Sequence, residues 1–215
     1  MKYASGISRK AIGKRILISW LAIGVIGGGC GYGIAHFMTP KDEIKPLYGV
    51  YDRKTIKAEI EKNFGRKLNF TPLNVPMGRD MQEFVFYLCT AYKMDFTFVM
   101  AVIDQESGFR IDTISETNDY GLMQINECNF EMLTATFGIT NFLEPYSNIR
   151  GGVWMLNQLF KKYQTPEKVL MAYNMGEHGA AALWERGIYE TAYTRAISQK
   201  QAKYQDEVKG ALKND

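Results

Sequence analysis

Apolar and polar positions alternate along this chain with a helical period over most of its length. From Asp80 to Met94 the apolar residues Met81, Phe84, Val85, Leu88 and Cys89 recur near 3.6 residues, which predicts an amphipathic helix. Asp95 is placed to cap the next helix, Phe96 to Gln105. That segment carries Phe96, Phe98, Val99, Met100, Ala101, Val102 and Ile103, and is apolar on nearly every side. A helix without a polar face belongs in the middle of a core. Gly108 is a natural stop. Further helices are predicted over 126–136, 146–162, 166–175, 177–186 and 190–208. Thr165-Pro166 gives a cap followed by proline in the first turn, where its missing N–H costs nothing. No stretch demands a large sheet, although a small hairpin fits 112–125. The expected fold class is mainly α.

Ahead of this unit the pattern changes. Residues 16–38 are 23 positions without Asp, Glu, Lys or Arg. As a helix they would cover roughly 34 Å, enough for a hydrocarbon core of about 30 Å. Lys2, Arg9, Lys10, Lys14 and Arg15 precede the run and predict a cytoplasmic N-terminus with the remainder outside. The run is long for a cleaved signal peptide. Cys30 follows three glycines and is an alternative lipid-attachment site, but Gly27 stands where such sites carry a larger aliphatic residue. The expected organisation is a basic cytoplasmic tail over 1–15, a single transmembrane anchor over 16–38, a linker or stalk over 39–77 and a globular domain over 78–215. Within the linker, Asp52 to Phe64 reads as a short, highly charged, solvated helix.

Charge sharpens this division. The 215 residues hold 26 Lys and Arg against 23 Asp and Glu, a net of +3. Without the five N-terminal cations, residues 39–215 carry 21 basic and 23 acidic residues, a net of −2. The excess positive charge is therefore a topology signal. A nucleic-acid module, which needs a basic patch, is the least expected class. Three cysteines exclude a disulfide-built scaffold, and with two histidines they offer no metal-site spacing. Neither metal nor cofactor is expected. Cys89 and Cys128 would both lie outside the cell, as a pair or as free thiols. His178 reads as a surface or capping residue.

The candidate chemistry starts at Glu106, at the end of the most apolar helix. A carboxyl held against apolar neighbours is desolvated, which raises its pKa and favours the neutral form that a general acid needs. Glu106-Ser107-Gly108-Phe109, Gly121-Leu122-Met123-Gln124-Ile125-Asn126 and Ala172-Tyr173-Asn174-Met175-Gly176 then follow in order. Together they resemble the lytic transglycosylase family, over about residues 80–200. Glu190-Thr191 with Tyr193 resembles the family's ending.

The resemblance implies a lysozyme-like helical domain that cleaves peptidoglycan glycan strands between N-acetylmuramic acid and N-acetylglucosamine, forming a 1,6-anhydro end. It implies Glu106 as the catalytic acid and base. Ser107, Met123, Gln124, Tyr173, Asn174 and Tyr193 would bind substrate, with Ser107 orienting Glu106 and the Gln124 amide reading hydroxyl or acetamido groups. The stretch Asn118-Asp119-Tyr120-Gly121 is also similar to animal-type lysozymes, in which an aspartate before Tyr-Gly is the second catalytic carboxylate. Asp119 is thus a second candidate, or a turn-fixing residue. Glu116 and Asp112 are weaker ones. A hydrolytic muramidase using Glu106 and Asp119 stays open. So does a weakly active or inactive glycan-binding factor of an envelope-spanning secretion or conjugation complex.

Overall fold

The computed structural model describes residues 53–65 and 68–213. The proposed tail, the 16–38 anchor and Cys30 lie outside the described residues. Among the described residues, no helix is long and apolar enough to cross a membrane.

Seven α-helices and one two-stranded hairpin are present among the described residues, in the order α1 (Arg53–Phe64), α2 (Arg79–Tyr92), α3 (Phe96–Ser107), β1 (Asp119–Tyr120), β2 (Ile125–Asn126), α4 (Phe130–Phe137), α5 (Pro145–Tyr163), α6 (Pro166–Trp184) and α7 (Ala192–Ala211). This is the mainly helical architecture that the periodicity predicts. The hairpin is antiparallel, pairing Asp119 with Asn126 and Tyr120 with Ile125. A single 3-10 turn, Glu127–Asn129, leads from it into α4.

The centre is α3. Val99, Met100, Ala101, Val102 and Ile103 have no exposed surface. Asp95 caps it, accepting from the Phe98 N–H at 3.0 Å, and Gly108 ends it in the left-handed conformation. Helix α5 starts where Glu144 accepts from the N–H groups of Tyr146 and Ser147, at 3.2 and 2.7 Å. At α6, Pro166 occupies the first turn as expected, but Thr165 makes no side-chain cap bond.

The two helices predicted over 166–175 and 177–186 are the two halves of α6, which meet at a kink. The break is Gly176, at φ 73° and ψ 159°, a conformation closed to residues with a Cβ.

The segment before Arg79 differs from its expected role. The charged composition of α1 predicts a solvated stalk, yet Ile56 and Ile60 are buried in the common core. They stand four residues apart, so they share one helix face, and the charges occupy the other. Lys57 pairs with Glu83 at 2.9 Å, and the Tyr87 hydroxyl donates to Glu61 at 2.5 Å. The chain that follows is tied down as well. The Gln82 side chain accepts from Leu73 N–H at 2.8 Å and donates to the carbonyls of Leu73 and Met77 at 3.1 and 2.8 Å.

Candidate active site

The site forms where the C-terminal end of α3, the hairpin and the first half of α6 meet. Together they line a cavity of about 330 Å³. Glu106 reaches it from α3. Thr117, Asp119, Gln124, Asn126, Cys128 and Asn129 line the hairpin side, Met155 of α5 contributes an apolar wall, and Tyr173, Asn174, Met175 and Gly176 line the α6 side. The Gly176 kink thus falls at the site.

Glu106 is strongly perturbed in this cavity. Burial pushes its pKa up to about 7 from an ordinary 4.5. A hydrogen bond from Tyr193 pulls the value down, and the negative charge of Asp119 raises it. The carboxyl is therefore substantially protonated near neutral pH, as general acid chemistry requires. Its partner is the Tyr193 hydroxyl, which donates to Glu106 Oε1 from the first turn of α7. Helix α7 grips the same stretch of α3 twice more. Lys200 pairs with Asp104 at 2.8 Å, and the Tyr204 hydroxyl donates to Asp104 at 2.6 Å.

Asp119 faces the same cavity, with its carboxylate already engaged. Oδ2 accepts from the hydroxyls of Ser115 and Thr117 at 2.7 and 2.5 Å, and Oδ1 accepts from Asn126 Nδ2 at 2.8 Å. These bonds hold the loop and both strands together. Asp112 and Glu116 are exposed and do not line the cavity.

The Gly-Leu-Met-Gln turn is fixed from behind by Asn148, which is fully buried. Its Oδ1 accepts from Met123 N–H at 2.8 Å, and its Nδ2 donates to the carbonyls of Tyr120 and Phe142 at 2.7 and 2.8 Å. Gly152 lets this turn approach α5. A Cβ there would stand 2.5 Å from Met123 Sδ and 2.8 Å from Met123 Cβ.

These contacts sort the expected binding residues. Glu106, Gln124, Tyr173 and Asn174 share the cavity with Asp119. Gln124 has φ +46°, and its Nε2 donates to the carbonyls of Thr113 and Gly121 at 3.2 and 2.9 Å. Both amide protons are therefore used, which leaves its carbonyl oxygen to accept. Tyr173 donates to Met123 O at 2.8 Å, so its hydroxyl braces the turn.

Ser107 and Met123 lie apart from these. Both are buried, at 1% and 0% exposure, and neither lines the cavity. Ser107 bonds back to Ile103 O at 3.2 Å, and Met123 packs against Gly152. Tyr193 touches Glu106 and is not among the lining residues. His178 is exposed. Cys89 and Cys128 are not paired with each other: the first is buried and the second is exposed at the cavity. Thr117, Asn126, Asn129 and Met155 were not expected at the site. Of these, only Asn126 and Asn129, polar residues close after the Gly-Leu-Met-Gln motif, carried a signal in the sequence.

Comparison with known proteins bears on this arrangement. Residues 84–195 match the family described as Transglycosylase SLT domain. A protein named "Transglycosylase" from Enterobacteria phage PRD1 is 32% identical over 89 residues, covering 41% of this chain and 32% of that protein. An inactive mutant of the lytic transglycosylase Slt from Pseudomonas aeruginosa shares the fold, with TM-score 0.53 and 17% identity over 74% of this chain and 31% of that one. The 70 kDa soluble lytic transglycosylase from Escherichia coli aligns with TM-score 0.47 and 18% identity, covering 60% and 28% of the two chains. The chain spans about a third of the length of these relatives. The family match covers more than half of the 215 residues and includes Glu106, the hairpin and the Tyr-Asn segment, so the chain belongs to the Transglycosylase SLT domain family.

Proposed function

We propose that this protein is a peptidoglycan lytic transglycosylase that cleaves the β-1,4 bond between N-acetylmuramic acid and N-acetylglucosamine, with Glu106 as the only acid and base. The observation that carries this reading is the half-buried Glu106 carboxyl at the cavity, raised to about 7 and held by Tyr193. Protonated Glu106 donates to the glycosidic oxygen, and the bond from that oxygen to the muramic acid anomeric carbon breaks. The acetamido group of the same sugar stabilises the positive charge left behind. The Glu106 carboxylate then takes the proton of that sugar's 6-hydroxyl as its oxygen closes onto the anomeric carbon. Glu106 ends protonated, and no water is consumed. A second carboxylate has no step to perform, unlike in the two-carboxylate hydrolases. Tyr193 is a positioning residue that keeps the carboxyl aimed through both transfers. Asn174 and the Gln124 carbonyl supply polar contacts to the glycan.

The proposal extends to location. Residues 16–38 and the five preceding cations support a single-pass membrane anchor, with the catalytic unit on the outer side. Work beside an envelope-spanning secretion or conjugation complex would suit that placement.

A hydrolytic reading has one observation in its favour, since Asp119 shares the cavity and its charge acts on Glu106. Asp119→Asn separates the two. With Glu106 alone as catalyst, the variant keeps anhydro products and stays within about tenfold of the parent rate, because Asp119 contributes only position and field. Its activity also declines at a lower pH, because a charge that raised the Glu106 pKa is gone. A loss of more than about a hundredfold, the scale expected for a reacting carboxylate, would favour hydrolysis through Asp119.

A further inference from the structure

A second cavity, of about 480 Å³, is lined by Tyr120 of the hairpin, the start of α4 and residues 140–143. Its walls are aromatic. Phe130 stacks on Phe142 with centroids 3.6 Å apart and planes within 3°, and Tyr120 meets Phe130 edge-on at 5.1 Å. The remaining lining is neutral, with Thr134, Thr140 and Asn141 at the rim and no carboxylate, ammonium or guanidinium group.

The linings of the two cavities include neighbouring residues at two places. Asp119 lines the first and Tyr120 the second, and the same holds for Asn129 and Phe130. Successive residues of a strand face opposite ways, so the two cavities lie on the two sides of the hairpin.

The rim has polar groups to offer. Thr134 Oγ1 is committed to Ile139 O at 2.6 Å, and Asn141 Oδ1 to Leu143 N–H at 3.0 Å. The Asn141 amide protons and the Thr140 hydroxyl have no partner among the described residues. Aromatic faces beside hydroxyl and amide groups match the apolar C–H faces and polar edges of a sugar ring. Charge decides between the parts of the substrate. A peptide stem brings carboxylates, and this cavity has no cation to receive them.

We propose that the Tyr120–Phe130–Phe142 cavity is a secondary saccharide-binding site that takes an uncharged N-acetylated sugar of the glycan strand. The site holds the strand at a second point while the Glu106 cavity works on it. This inference rests on the transglycosylase reading for its biological ligand, but the binding itself can be measured without cleavage.

The test uses the full chain in detergent, carrying Glu106→Gln, with amide resonances followed during titration with the N-acetylglucosamine tetramer. Shifts are expected at Thr140, Asn141 and Leu143. Adding Thr140→Arg, which fills the cavity from an exposed rim position, should remove those shifts and spare those at Asn174. With Glu106 intact, Thr140→Arg should raise KM on insoluble peptidoglycan by about threefold to tenfold and leave kcat unchanged. No shift at this cavity overturns the proposal, as do shifts from a free peptide stem alone or an unchanged KM. If the parent chain cleaved no peptidoglycan at all, the transglycosylase reading would fall, and the tetramer titration would still decide this site.

Discussion

Glu106→Gln is expected to lower peptidoglycan cleavage by about 10²- to 10⁴-fold while making the protein more stable above neutral pH. The activity loss follows from removing the one group that donates and accepts the proton, a role worth about that factor. The stability gain follows from burial. The folded carboxyl ionises near 7 and the unfolded one near 4.5. Between those values unfolding releases a proton, so the parent loses stability as pH rises through this window and levels off above it. A neutral amide carries no such cost and still accepts from Tyr193. At pH 8 the variant should be more stable by about 2 kcal/mol, a Tm increase of about 4–8 °C, with the gap closing towards pH 4. The parent's activity should decline as pH rises through about 7, where the acid form is lost. Thermal melts at pH 4 and pH 8 check the first part, and a pH–rate profile the second. A variant that is no more stable at pH 8 would mean that Glu106 is not a desolvated acid.

The second large effect lies far from the cavity. A chain beginning at residue 53 should fold, whereas one beginning at residue 78 should be severely destabilised. The longer piece keeps Ile56 and Ile60 in the core, together with Leu73 and Met77. Each such side chain contributes about 1.5–3 kcal/mol by burial. Removing them also strips the Gln82 amide of its three hydrogen bonds to Leu73 and Met77. The total is of order 5 kcal/mol or more, comparable to the whole stability of an ordinary domain. Circular dichroism melts of the two pieces check this, with a drop of about 10 °C or more expected. Melting points within about 3 °C would show that α1 is dispensable, as a solvated stalk would be.

That contrast shows what the chain discloses before it is folded. The α3 helix was legible because seven apolar residues leave it no polar face, and Glu106 was legible because it ends that helix. The burial of α1 was hidden. Two isoleucines among many charges form a narrow stripe, and only α2 decides whether the stripe is covered. The motifs gave the position of the cavity but not the direction of each side chain. Gln124 and Met123 are adjacent, yet one lines the cavity and the other is core. The left-handed conformation at Gln124 and the absent side chain at Gly152 set that division. Ser107 next to Glu106 turns inward for a similar reason, since neighbouring positions on a helix do not share a face. The bonds that saturate Asp119 come from Ser115, Thr117 and Asn126, and only the closed hairpin brings those side chains together.

The central claim is that one buried carboxyl both gives and takes the proton, with no water entering the reaction. The most direct measurement is the mass of the muramic acid ends released when the full chain digests purified peptidoglycan. The account predicts 1,6-anhydro ends. Reducing ends, heavier by one water, would contradict it.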